Sequence, residues 1–234
     1  GFMFYTSVFG HISLSKPNTT IHGGLLAQEV GMGKTIEMLS LIATNKTEHP
    51  TLIVLPTTML DVWNFEAKKH VPSLSVVKFH GARRTSNMND LRSADIVLTT
   101  YRVVVNETKQ HIPTLGSIRW GRIIIDESHE MKQIYSATSK AICRLFAPYR
   151  WCLSATPWPK GLSNVSSVLA FLGVTPFDDQ LDSIRGPRIS SQLIMRHQRE
   201  DNPSLICSLL SQLTWWQRKR HVRLALPNVK HQKI

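Results

Sequence analysis

The stretch "GGLLAQEVGMGKTIEML", Gly23 to Leu39, constrains the fold more than any other part of the chain. It closes a short apolar run, sets Gly31 and Gly33 around Met32, adds Lys34-Thr35, and continues with a helix-compatible pattern. Glycines spaced this way let the backbone turn so that successive N–H groups face one point. A helix opening at Lys34 would bring the positive end of its dipole to the same place. The phosphate-binding pattern G-x-x-x-x-G-K-[ST] is met at its end by Gly33-Lys34-Thr35, whereas Gln28 stands where its first glycine belongs. The expected cradle is Gly31, Met32, Gly33, Lys34, Thr35 and Ile36. Lys34 would reach the β- and γ-phosphates, and Thr35 would offer its hydroxyl to magnesium.

A glycine-rich turn before a helix also arises by chance, so the second motif matters. "RIIIDESHEM" places Asp126-Glu127 at the end of an apolar strand. A carboxylate at that edge can hold the magnesium shell, and its neighbour can orient an attacking water. Ligands of open parallel sheets gather at the carboxyl ends of the strands, where both motifs fall. The cofactors expected are therefore ATP and Mg2+, with Lys34, Asp126 and Glu127 as catalytic residues and Thr35 and Asp126 on the metal. No other metal is expected, because Cys143, Cys152 and Cys207 are isolated and form no C-x-x-C pair.

Residues 23–175 alternate short apolar runs with helix-compatible stretches. "TLIVLP", "SVVKFHG", "DIVLTTY", "GRIIIDE" and "RWCLSAT" read as strands. Helices are expected from Lys34 to about Asn45, Met59 to Val71, Asn89 to Ser93, Ser136 to Phe146 and Val165 to Leu172. Strands this continuously apolar are covered on both faces, which predicts an α/β fold with a doubly wound parallel sheet. Residues 1–22 read as a lead-in without a signal peptide, and residues 176–234 as an irregular basic extension. Lys and Arg number 28 against 16 Asp and Glu, giving a net charge of +12. That excess predicts a polyanionic partner, with nucleic acid favoured over membrane. No apolar run approaches the ~20 residues that span a bilayer.

With both motifs located, the chain resembles the Swi/Snf-type ATPases, DNA translocases of helicase superfamily two. The resemblance runs from about Gly23 to Pro227. It is carried by "GGLLAQEVGMGKT", "TLIVLPTTMLDVWNFEAKKHVPSLSVVKFHG", "ADIVLTTYRVV", "WGRIIIDESHEMK" and "RWCLSATPWPKGLSNVSSVLAFLGVTPFDD", in the family's order. "FLGVTPFDD" and "IMRHQRE" are most similar to the DNA-repair branch, whose fuller members carry a RING insertion. The resemblance implies a RecA-like lobe, the first of two, acting on double-stranded DNA or nucleosomes in the nucleus. It implies that His129 links the nucleotide site to Ser154 and Thr156, coupling hydrolysis to DNA. It also puts Thr57, Thr99, Thr100 and Tyr101 where the family contacts the DNA backbone; strand-end or capping chemistry is the competing reading. His80, Trp215 and Trp216 read as core or interface residues rather than stacking platforms.

Three departures qualify the resemblance. Gln28 replaces the family's Asp or Glu, Trp158-Pro159-Lys160 replaces Ile-Gln-Asn, and Ala155 gives the Ser-Ala-Thr of RNA helicases. Neither an adenine-reading motif nor a second lobe is recognisable, so a fragment or truncated product that hydrolyses ATP poorly alone is expected. The leading function is the ATP-binding motor lobe of a DNA-dependent ATPase in repair or remodelling. The alternatives are a degenerate, non-catalytic binding module and an RNA helicase.

Overall fold

The computed structural model describes the backbone of residues 5–6 and 12–13, residues 22–156 apart from 83, 86 and 112, and residues 165–174 and 210–219. A short antiparallel pair, β1 (Tyr5–Thr6) and β2 (Ile12–Ser13), precedes the main sheet. That sheet is built from β3 (His22–Gln28), β4 (Thr51–Leu55), β5 (Val76–Lys78), β6 (Ile96–Thr100), β7 (Arg122–Ile125), β8 (Tyr149–Ser154) and β9 (Thr214–Gln217). Its seven strands are all parallel, in the order β5-β6-β4-β7-β8-β3-β9.

Parallel strands need crossovers, and the helices supply them. These are α1 (Lys34–Thr44), α2 (Leu60–His70), α3 (Met88–Arg92), α4 (Tyr101–Glu107), α5 (Ala137–Cys143) and α6 (Val165–Leu172). Strand alternation sorts the core onto two faces. Leu52 and Val54 of β4 join one cluster with Val104, Ile142 and Phe171, under α4, α5 and α6. Ile53 and Leu55 join the other with Leu39, Ile42 and Trp63, under α1 and α2. The central strand β4 is buried at every position, as the unbroken apolar run "TLIVL" predicts.

Three local expectations are corrected. "DIVLTTY" is not strand throughout: the strand stops at Thr100 and α4 begins at Tyr101. The Thr100 hydroxyl caps that helix by accepting from the Val103 N–H at 3.4 Å, which overrides the strand preference of Val103-Val104-Val105. The helix expected to reach Phe146 ends at Cys143. Within the stretch read as an irregular extension, Thr214–Gln217 returns to the sheet as β9, paired along β3 from Leu25↔Thr214 to Gln28↔Gln217.

Candidate nucleotide site

The order of strands brings the motifs together. β7, β8 and β3 are neighbours, so the loops after Ile125, Ser154 and Gln28 share one rim. After Gln28 the chain turns through Gly31 and Gly33, at φ 84° and 96°, left-handed values that an L side chain resists. A Cβ added at Gly33 would meet nothing within 4 Å, so the loop presents an open face. α1 opens at Lys34, and the first N–H groups of a helix have no partner within it. Donors and dipole thus point to the space over the loop, as a phosphate requires. The Lys34 ammonium folds back onto the loop, donating to the carbonyls of Gln28 at 2.8 Å and Glu29 at 3.4 Å. Thr35 sits in the first turn of α1 with Ile36 exposed beside it, and Met32 is half-buried.

Just past the end of β7, Asp126 is 4% exposed. Its Oδ2 accepts from Trp63 Nε1 at 2.8 Å, and its Oδ1 from the Glu127 N–H at 2.9 Å. Glu127 has φ 51°, a left-handed conformation that turns the chain sharply off β7. Tyr101 braces this turn: its hydroxyl is 2.6 Å from the Asp126 carbonyl oxygen and 3.2 Å from that of Glu127. Burial raises the pKa of both carboxyl groups, and the charge of Asp126 raises Glu127 further. Lys34 and His129 oppose the shift at each, which places the ammonium within electrostatic reach of the pair. His129 Nδ1 lies 3.2 Å from Glu127 Oε2 and 3.3 Å from Ser154 Oγ. Ser154 Oγ in turn accepts from the Thr156 N–H at 3.2 Å. His129, Ser154 and Thr156 therefore form one chain of contacts leading away from Glu127.

The cradle fits a magnesium-bound triphosphate. Left-handed glycines open the loop, one ammonium sits against it, and Thr35 and Asp126 carry the hard oxygen donors that magnesium takes.

The residues expected on DNA fare differently. Thr57 is exposed at the start of the turn that leads into α2. The other three have internal partners. Thr99 is fully enclosed and donates to the Phe79 carbonyl at 3.0 Å, Thr100 caps α4, and Tyr101 braces Asp126-Glu127. These contacts fit the competing capping and strand-end reading for Thr99 and Thr100, while Tyr101 supports the acidic turn. His80 lies 3.5 Å from the Thr100 hydroxyl. Trp215 and Trp216 are exposed on β9, at 66% and 61%, rather than in a core. Trp158-Pro159-Lys160 and Cys207 lie outside the described residues, while Cys143 and Cys152 are free and buried.

Sequence reasoning missed three contributors. Trp63 and Tyr101 hold the acidic turn from 63 and 25 positions away in sequence. β9 is the third. The Glu29 N–H donates to the Gln217 carbonyl at 3.3 Å, and the Lys219 N–H donates to Glu29 Oε2 at 3.3 Å. Gln28, nearly fully buried, donates through Nε2 to Glu37 at 2.8 Å and to Gln217 at 3.4 Å. The last strand is thereby tied to the phosphate loop.

Comparison with known proteins agrees with this geometry. The SNF2-related domain matches residues 12–234. The chain is 33% identical over 221 residues to the DNA repair protein rad5 of Aspergillus fumigatus, covering 75% of this chain and 18% of that protein. It is 34% identical over 165 residues to a probable global transactivator of Orgyia pseudotsugata multicapsid polyhedrosis virus, covering 68% of this chain and 32% of that protein. The chain thus spans a third or less of the length of these curated relatives. Among solved structures, the Sulfolobus solfataricus SWI2/SNF2 ATPase core in complex with dsDNA matches with a TM-score of 0.70 at 26% identity. That match covers 85% of this chain and 40% of the other. With its sheet shared with a solved ATPase core and its sequence matched almost end to end, the chain belongs to the SNF2-related family.

Proposed function

We propose that the chain is the ATP-binding first motor lobe of a double-stranded-DNA-dependent ATPase, acting in DNA repair or chromatin remodelling in the nucleus. Full hydrolysis requires a second RecA-like lobe in cis. The observation that carries this reading is the meeting of the Lys34 loop and the Asp126-Glu127 turn at one rim of the sheet. The backbone N–H groups from Gly31 to Ile36 and the Lys34 ammonium hold the β- and γ-phosphates. Thr35 and Asp126 would hold magnesium, which would supply positive charge beside the phosphates. Glu127, with a pKa raised by burial and by Asp126, is suited to polarise the attacking water and accept its proton. His129 orients Glu127 and connects it to Ser154 and Thr156, the route by which DNA engagement would reach the reacting groups.

DNA as partner is supported by the net charge of +12 and by the relatives, one a DNA repair protein and one a core bound to dsDNA. Thr57 is the proposed backbone contact, and a hydroxyl on phosphate ignores base sequence, as a translocating motor or a nucleosome-bound one needs. The lobe's own hydrolysis should be slow, because arginine fingers contribute on the order of 10³–10⁵ in rate in related phosphoryl transfer. Appending a second RecA-like lobe from a relative should raise dsDNA-stimulated hydrolysis by about 10³ or more. Glu127→Gln should remove that gain. Turnover unaffected by this substitution would overturn the assignment.

A further inference from the structure

The end of β9 brings a second ammonium group to the glycine loop. The strand pairs along β3 as far as Gln28↔Gln217. Two further hydrogen bonds carry the attachment past that point. The Glu29 N–H donates to the Gln217 carbonyl at 3.3 Å. The Lys219 N–H donates to Glu29 Oε2, also at 3.3 Å, from 190 positions away in sequence. The backbone at Lys219 is therefore held against the residues that open the loop.

From there the Lys219 side chain reaches the loop itself. A Cβ built on Gly31, whose φ is 84°, would meet one described heavy atom within 4 Å, the Lys219 Nζ at 4.0 Å. Lys219 is exposed, so this ammonium stays open to a ligand. A surface lysine ordinarily extends into solvent or pairs with a neighbouring acid. Glu29 is the acid tied to this segment, yet its Oε2 takes the Lys219 backbone N–H, and the ammonium forms no ion pair with any described carboxylate. The neighbouring cation is engaged elsewhere: Arg218 lies over the Trp216 ring, 4.4 Å from its centroid.

The loop beneath is rich in donors. The N–H groups of Gly31, Gly33, Lys34 and Thr35 meet no described backbone acceptor. The Lys34 ammonium lies against the Gln28 and Glu29 carbonyls. Idle N–H groups and two ammonium groups, one from α1 and one from beyond β9, thus converge on one loop. Positive potential concentrated in this way is relieved by an anion.

We propose that Lys219 is a second phosphate-binding lysine of the nucleotide site. Its ammonium donates to an oxygen of the polyphosphate from the Gly31 side, complementing Lys34, which approaches from α1. This assignment rests on the ATP-binding reading given above. It makes the edge strand part of the nucleotide site rather than a mere neighbour of it.

Isothermal titration of a non-hydrolysable ATP analogue with magnesium tests it, using the full chain and its Lys219→Arg, Lys219→Gln and Lys219→Glu variants. All three keep the backbone N–H that Glu29 accepts, and the position is exposed, so folding persists and an unchanged melting temperature checks it. Affinity should fall about tenfold in Lys219→Gln and further in Lys219→Glu, while Lys219→Arg stays within about twofold of the parent. The gap between parent and Lys219→Gln should narrow as sodium chloride rises from about 50 to 300 mM, because an exposed contact is screened. Equal affinity across the series would overturn the proposal, as would a loss in Lys219→Arg as large as in Lys219→Gln. Lys34→Ala separates this assignment from the reading beneath it. Binding abolished by Lys34→Ala but untouched by Lys219→Gln removes the Lys219 assignment alone, whereas a parent chain that binds no analogue removes both.

Discussion

Glu127 concentrates the residue-scale cost of this site. It carries a left-handed backbone, and its carboxyl group is pushed up in pKa by burial and by Asp126 beside it. The sign follows from linkage. A carboxyl group whose folded pKa is raised contributes its full stability below the unfolded value and loses it as pH rises through the folded value. Glu127→Gln removes this loss. The ligand-free variant should melt higher than the parent at pH 8, by on the order of 1–3 °C, with the gap closing near pH ~4. Calorimetry across that range checks it, and a variant that melts lower at pH 8 would contradict the electrostatic account. Trp63 works in the opposite sense, because its N–H favours the ionised form of Asp126. Trp63→Phe leaves Oδ2 buried without that donor. The expected cost is about 1–3 kcal/mol of stability. Magnesium-dependent nucleotide binding should weaken alongside, as a magnesium titration would read. Of the proposed site, Lys34, Thr35, Asp126 and Glu127 are legible in the sequence because the chemistry proposed for them requires those residue types beside glycines or at a strand end. Trp63 and Tyr101 were not, since their contacts exist only once distant elements pack.

At the scale of elements, legibility follows burial. β4, β6 and β7 are enclosed on both faces and announce themselves as β-branched apolar runs. β9 is an edge strand with two exposed tryptophans, so its sequence carries neither alternation nor a continuous apolar run. α4 hides for the converse reason, as its valines suit a strand and the Thr100 cap together with packing on α5, β6 and β4 fixes the helix. The attachment of β9 depends on a close approach: a Cβ on Gly24 would stand 2.7 Å from the Leu213 carbonyl oxygen. Gly24→Ala should therefore push the last strand away, costing about 1–3 kcal/mol. Faster hydrogen exchange at residues 214–219 and altered Trp215-Trp216 fluorescence would report it. Unchanged exchange there would mean that β9 tolerates the clash without moving.

At the scale of the whole molecule, strand order decides which residues meet at one rim of the sheet. The carboxyl rim gathers the glycine loop before Lys34, the Asp126-Glu127 turn and the linked side chains of His129 and Ser154. The net charge of +12 predicts that double-stranded DNA affinity falls by orders of magnitude between about 50 and 200 mM salt, through release of condensed counterions. Fluorescence anisotropy against salt measures this, and a flat dependence would remove the polyanion reading. The central claim is narrower: Lys34 and the Asp126-Glu127 pair grip one magnesium-bound triphosphate. Isothermal titration of a non-hydrolysable ATP analogue, with and without magnesium, into the parent chain and Lys34→Ala tests it most directly. The account predicts saturable, magnesium-strengthened binding in the parent and none in the folded variant. Equal affinity in both proteins would contradict it.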